Sequence, residues 1–291
     1  MAAWDASAQR TGPGKQRGGT RGGDLFGLQL ILGIIVGGGW IAGTTLAAQR
    51  LGSRLGGFLS GLPSTMVVSL LFISWTQGAL VAREATSVMP VALAVNAVLL
   101  LTFAALAQRG FAGAILTSMA GWGFLQVLVA ILDFRDFVLG IAVCGVLLLL
   151  GRAYMIDFLG IRPVPGAPMA WSWRDALLRG MLSGGVVGAA MALTRFAGPG
   201  LGGVFAVFPA VILSTLMIAQ RAAGQGFTRS LVPSFMTSML VHCVVYAIVF
   251  RWSVLEVGPL WATAISYGGT LFLGAGTYRL FPAEGQGPRA G

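Results

Sequence analysis

Apolar residues in this chain come in long, nearly charge-free runs. They lie at 27–48, 63–78, 88–107, 111–132, 136–155, 175–195, 205–222, 231–250 and 257–277. A helix needs about 20 such residues to cross a bilayer. A strand would instead alternate polar and apolar side chains with period two. The pattern therefore predicts an all-α polytopic integral membrane bundle of about nine transmembrane helices. The second and seventh runs are short and follow Gly-rich segments, and the fifth begins right after the charged turn at Asp133, Arg135 and Asp136.

Between the fifth and sixth runs, 156–173 holds Pro163, Pro165, Pro168, Trp171 and Trp173. Prolines stop a helix and tryptophans favour the membrane–water interface, so this stretch reads as the linker. Residues 1–23 are rich in Gly, Arg and Gln, without the apolar segment a signal peptide needs. They read as a disordered basic tail, and 281–291 as a second tail. The membrane part then divides into 24–155, a first repeat plus a crossing helix, and 174–280, a second repeat.

The repeat is visible at a shift of 146 residues, where Leu51–Pro63 (LGSRLGGFLSGLP) falls on Ala197–Pro209 (AGPGLGGVFAVFP). Gly52, Leu55, Gly56, Gly57 and Pro63 match Gly198, Leu201, Gly202, Gly203 and Pro209. The same shift puts Gly38 on Gly184, Gly78 on Gly224 and Arg83 on Arg229. Five runs precede the second copy. An odd number reverses its direction through the bilayer, which predicts inverted repeats about an axis in the membrane plane.

Composition agrees with lipid as the solvent: 56% of the 291 residues are hydrophobic and 10% charged, with mean hydropathy +0.83, where a soluble domain carries about 25% charge. The net charge of +10 comes from arginines placed mainly between apolar runs, with Lys15 the one lysine. That placement suits helix-end anchoring and gives no nucleic-acid patch. Loops after odd-numbered runs take the larger share, Arg50, Arg109, Arg152, Arg179 and Arg229 among them. By the positive-inside rule those loops are cytoplasmic, although the basic N-terminal tail falls on the other side. Cys144 and Cys243 lie deep in apolar runs and read as small buried residues. With a single histidine and no paired cysteines, no metal site or cofactor is expected.

From Gly200 the second half reads GLGGVFAVFP, then an apolar helix, Gly224, Arg229, the Met/Ser-containing SFMTSMLVHCVVY and Trp252. Over 176–276 this resembles the GlpM-like family of small four-helix inner-membrane proteins. Phe208-Pro209, Met236, Ser238, Tyr246 and Trp252 stand where the family pattern has Phe-Pro, Met–Ser and aromatic positions. The first half departs from it, with Leu62-Pro63 and no Met–Ser pair. The resemblance implies a four-helix unit, residence in the inner (plasma) membrane as a multi-pass protein, and a link to exopolysaccharide production without defined chemistry.

Two groups of residues are candidates for a site. Gly56, Gly57 and Pro63 in one half match Gly202, Gly203 and Pro209 in the other. Broken helices at corresponding places in two halves point to a transporter site, where helix N-termini offer N–H groups to an anionic or polar solute. Alternatively the glycines let helices pack closely. Asn96 and His242 sit near the middle of their runs and coincide at the same shift, and Gln126 is a third polar residue within a run. Such side chains face the bundle interior, as part of a pathway or as interhelical hydrogen bonds. No Asp or Glu lies at the centre of a run, so neither a carboxylate relay nor paired carboxylates for acid–base work is available. The expectation is a permease or channel for a small polar or anionic solute, with membrane lipid as partner and a homo-oligomer allowed. The rivals are a non-transporting assembly subunit of an envelope polysaccharide system and a lipid-acting intramembrane enzyme using His242 with a serine.

Overall fold

The computed structural model describes residues 19–50, 63–162 and 172–280. Every regular element among the described residues is a helix. The α-helices in order are α1 (Gly19–Arg50), α2 (Ser64–Gln77), α3 (Ala79–Ala85), α4 (Met89–Leu106), α5 (Phe111–Ile131), α6 (Phe137–Ala153), α7 (Trp173–Ala197), α8 (Pro199–Ala206) and α9 (Ala210–Leu280), with a 3-10 turn after α4 (Ala107–Arg109) and a π turn after α6 (Tyr154–Phe158). α1 begins inside the stretch read as tail, and residues 1–18, 163–171 and 281–291 lie outside the described residues.

Six helical runs are long and apolar enough to cross a membrane: Leu25–Leu46, Met89–Arg109, Phe111–Ile131, Phe137–Phe158, Trp173–Ala197 and Pro199–Leu273. Ile131, Val138, Leu149 and Phe272 leave their side chains almost wholly uncovered, which suits hydrocarbon and not water. The chain is a helical membrane protein. The expected nine spans are not confirmed. α2 has only 14 residues, and the last three runs follow one another in α9 with no loop between them. Within it the backbone leaves helical geometry at Gly224 (φ 77°) and Gly258 (φ 79°). These glycines divide α9 into α9a (210–223), α9b (225–257) and α9c (259–280). Apolarity marks hydrocarbon-soluble segments but does not say whether one segment continues the direction of the last.

Gly78 before α3 has φ 100°, ψ 156° and Gly224 has φ 77°, ψ −175°. Both are extended conformations at positive φ that residues with a Cβ avoid. Residues 146 apart thus break the chain in the same way. Gly56 and Gly57, by contrast, fall outside the described residues.

α1 and α7 pack antiparallel along their length. Phe26 meets Phe196, Gly33 faces Met191, Gly37 faces Val187 and Gly180 faces Ala42. At the crossing, a Cβ on Gly184 would stand 2.6 Å from the Ile34 carbonyl and 3.2 Å from the Gly38 Cα. Gly38 and Gly184 are the residues the 146-residue shift superimposes. Lipid tails are as apolar as leucine, so helices associate in a bilayer through close van der Waals contact, which small residues permit.

α4 is the central helix, covered by α5, α6 and α9b. Cys144 donates from Sγ to the Pro90 carbonyl at 2.9 Å, and α6 packs on α4 at Gly140 and Gly151. α4 and α9b run antiparallel: Arg229 Nε donates to the Ala104 carbonyl (2.8 Å) at one end. At the other end Arg251 Nη1 donates to the Arg83 carbonyl and the Thr86 and Ser87 hydroxyls. Of the arginines assigned to loops, Arg229 therefore reaches back across the bundle, and Arg179 is not in a loop at all. It is buried inside α7.

The crossing supplies a test. Gly184→Ala forces a Cβ into the Ile34 carbonyl and should destabilise the protein by about 1–3 kcal/mol. Gly185→Ala, where nothing lies within 4 Å, should leave thermal unfolding in detergent unchanged or slightly improved. Equal melting temperatures for the two variants would contradict the close α1–α7 crossing.

Candidate functional site

Pro63 precedes α2 and Pro209 precedes α9a, positions where a missing N–H breaks no helical hydrogen bond. These two helix starts, one from each half, lie on the wall of one cavity of about 60 Å³. Leu93 and Asn96 of α4 and Phe235, Met239 and Cys243 of α9b complete most of the lining. A water needs about 10–15 Å³ measured this way, so the space holds a few waters or one small solute. Most of the wall is apolar.

Three features make it polar where it matters. The first-turn N–H groups of Thr65 and Met66, and of Val211 and Ile212, have no acceptor within their own helices. The positive ends of two helix dipoles meet there. Asn96, 2% exposed, donates from Nδ2 to the Val207 carbonyl at 2.7 Å. Its Oδ1 accepts from Trp122 Nε1, also at 2.7 Å, and Trp122 stands edge-on to Phe208 with ring centroids 5.0 Å apart. Asn96 therefore holds the break before Pro209 in place, and its amide keeps a second N–H.

The structure brings together Pro63, Asn96 and Pro209 of the residues singled out in the sequence. Gly202 and Gly203 serve packing instead. A Cβ on the first would collide with the Thr194 hydroxyl, and one on the second with the Ala85 carbonyl. α8 thereby lies flat against α7 and the α3–α4 turn. Gln126 sits one turn past Trp122 on α5, donates from Nε2 to the Ala92 carbonyl at 3.3 Å and is off the cavity wall. His242 is buried, with Nδ1 3.0 Å from the Ser238 hydroxyl one turn back on α9b. Its neighbour Cys243 lines the cavity and His242 does not. The Ser238–His242 pair thus lies within one helix and off this cavity.

Leu93, Phe235, Met239 and Cys243 carry no polar signal in the sequence. The repeat gave one: Leu93 and Met239 are 146 apart, and both reach the same cavity. Among the described residues no group of His, Cys, Asp or Glu could hold a metal ion. No known protein family, curated protein or solved structure matches the chain.

Asn96→Leu leaves the Val207 carbonyl and the Trp122 N–H without partners, at a cost of about 1–3 kcal/mol for each buried group. Ser118→Ala removes a fully buried hydroxyl that makes no hydrogen bond, so its melting temperature should hold or rise. Parallel thermal melts check the contrast, and a neutral Asn96→Leu would mean that the break does not depend on this amide.

Proposed function

We propose that the protein is a permease or channel for a small polar or anionic solute. In this reading two inverted repeats of about four helices each, with α6 as the extra crossing helix, enclose the site at their interface. The observation that carries it is the convergence of Pro63 and Pro209 on one cavity. Helix breaks in corresponding places of two halves, facing a common space near Asn96, are what alternating-access proteins use to bind solutes. Unwound backbone at membrane depth is tolerated where protein covers it or it lines a cavity. Here the break at 207–209 has both kinds of neighbour.

The antiparallel α1–α7 and α4–α9b pairs support the inverted relation. In the first, Gly38 lies against its repeat equivalent Gly184. A two-fold axis through such contacts runs across the helices, hence in the plane of the membrane. A solute would enter between the two helix starts, accept hydrogen bonds from first-turn N–H groups and from the spare N–H of Asn96, and leave when the halves rock about α1 and α7. The apolar remainder of the wall limits size and strips water from the solute. Residence in the plasma membrane belongs to the same proposal, as does passage without a catalytic step. A non-transporting assembly subunit would need no such cavity.

Two measurements test this. Purified protein in liposomes should speed osmotic swelling in at least one small solute from a panel of formate, nitrate, chloride, urea and glycerol. Leu93→Phe and Met239→Trp, which fill the cavity, should cut that rate at least tenfold while the protein stays monodisperse. Swelling no faster than in empty liposomes for the whole panel would sink the permease reading. Single cysteines at the exposed Gln108 and Glu256, in a background without native thiols, should label with an impermeant reagent from opposite sides. Labelling from one side would rule out the inverted arrangement.

A further inference from the structure

Arg179 lies six residues into α7 from Trp173, about 9 Å along the axis at 1.5 Å per residue, and is only 4% exposed. Its partners are hydroxyls of α9a: Nε donates to Ser214 Oγ at 3.2 Å and Nη2 to Thr215 Oγ1 at 3.0 Å. Arg229 and Arg251 each bond a backbone carbonyl of another element, Arg251 with the Thr86 and Ser87 hydroxyls besides, whereas Arg179 has hydroxyls alone. One turn further along α7, on the same face, the hydroxyl of Ser183 is fully buried and makes no hydrogen bond.

A guanidinium inside a bilayer is costly and calls for a compensating charge. Among the described residues the one ion pair is Arg135 with Asp133, elsewhere in the chain. Asp175, one turn before Arg179, is the acidic residue whose field reaches it. It stays beyond ion-pair distance, half-buried in the first turn of α7, where the helix N-terminus already stabilises a negative charge. Among the described residues Arg179 thus has hydroxyls to orient it and no carboxylate to neutralise it.

We propose that Arg179, oriented by the Ser214 and Thr215 hydroxyls, binds a small monovalent inorganic anion together with the Ser183 hydroxyl. One guanidinium balances one negative charge. The ion takes the Arg179 N–H groups that the hydroxyls leave over and gives the Ser183 O–H its acceptor. Ser214 and Thr215 donate in turn to the Val211 carbonyl, and Val211 lines the cavity between the helix breaks. The station therefore abuts the proposed pathway and narrows its solute to an anion of halide or nitrate size. The passage of the ion rests on the permease reading. Its binding does not.

Binding can be measured without transport. Protein in neutral detergent, at constant ionic strength with sodium gluconate as background, is titrated with fluoride, chloride, nitrate and sulfate while its melting temperature is followed. A ligand that binds the native state alone raises that temperature with saturation. At least one monovalent anion should do so and sulfate should not. Arg179→Gln should abolish the saturable shift, Arg179→Lys should keep it in weakened form, and Asp175→Asn should tighten it several-fold. If Arg179→Gln gives no folded protein, Ser183→Ala decides, with an expected loss of affinity of at least fivefold. A shift that no monovalent anion produces beyond gluconate overturns the site, as does one that survives unchanged in Arg179→Gln or, failing that protein, in Ser183→Ala. Binding without swelling in liposomes would count against the permease alone, and swelling without binding against the anion station alone.

Discussion

The Val207 carbonyl is the point on which the centre of this molecule depends. α8 ends there and Pro209 starts the next helix, so the buried carbonyl beside the cavity loses its helical donor. Left unpaired, a buried carbonyl costs about 1–3 kcal/mol. Asn96 supplies the donor from the middle of α4. Trp122 fixes the orientation of that amide and packs its ring against Phe208. One side chain on the central helix thereby holds the break, the aromatic wall beside it and one end of the cavity.

Around that point the fold is assembled by close approach. The hydrophobic effect that drives a soluble core is absent between helices in lipid, and contact area must come from small residues or polar links. Gly38 and Gly184 provide the first at the α1–α7 crossing. Arg229 and Arg251 provide the second, tying the two ends of α9b to α4 and to the α3–α4 turn. The cavity is lined by the starts of α2 and α9a and by α4 and α9b, and its lining includes residues 146 apart: Pro63 with Pro209, Leu93 with Met239.

Much of this was legible in the sequence because lipid is a strict solvent. Runs without charge had to be helices, and they are. The LGGxxxxxP element appeared twice, and its two prolines do face one space. Asn96 stood out as an amide among apolar residues and proves to be bonded to the break. Other features depended on direction and neighbours, which apolarity does not encode. The last three runs are the helical stretches α9a, α9b and α9c, separated only by single glycines, Gly224 and Gly258, at positive φ, so no loop marks their boundaries. Gly202 and Gly203 looked like flexible backbone but serve contact with Thr194 and Ala85. His242 has the same apolar surroundings as Asn96, yet its side chain lies off the cavity wall that its neighbour Cys243 reaches. Arg179 was grouped with the anchoring arginines because it lies close to the start of its run. Its burial depends on α9a, whose position no local pattern reveals.

Cys243 offers the most direct test of the central claim, that the space between the two helix breaks is a solute pathway. In Cys144→Ala protein reconstituted into liposomes, Cys243 is the one remaining thiol, and it lines the cavity. A small, charged, membrane-impermeant methanethiosulfonate should modify it in the folded protein, as read by intact-mass spectrometry. Modification should slow with rising concentration of the transported solute and should block passage once complete. A thiol that reacts only after the protein is unfolded would mean that the cavity is sealed and dry, and would contradict the account.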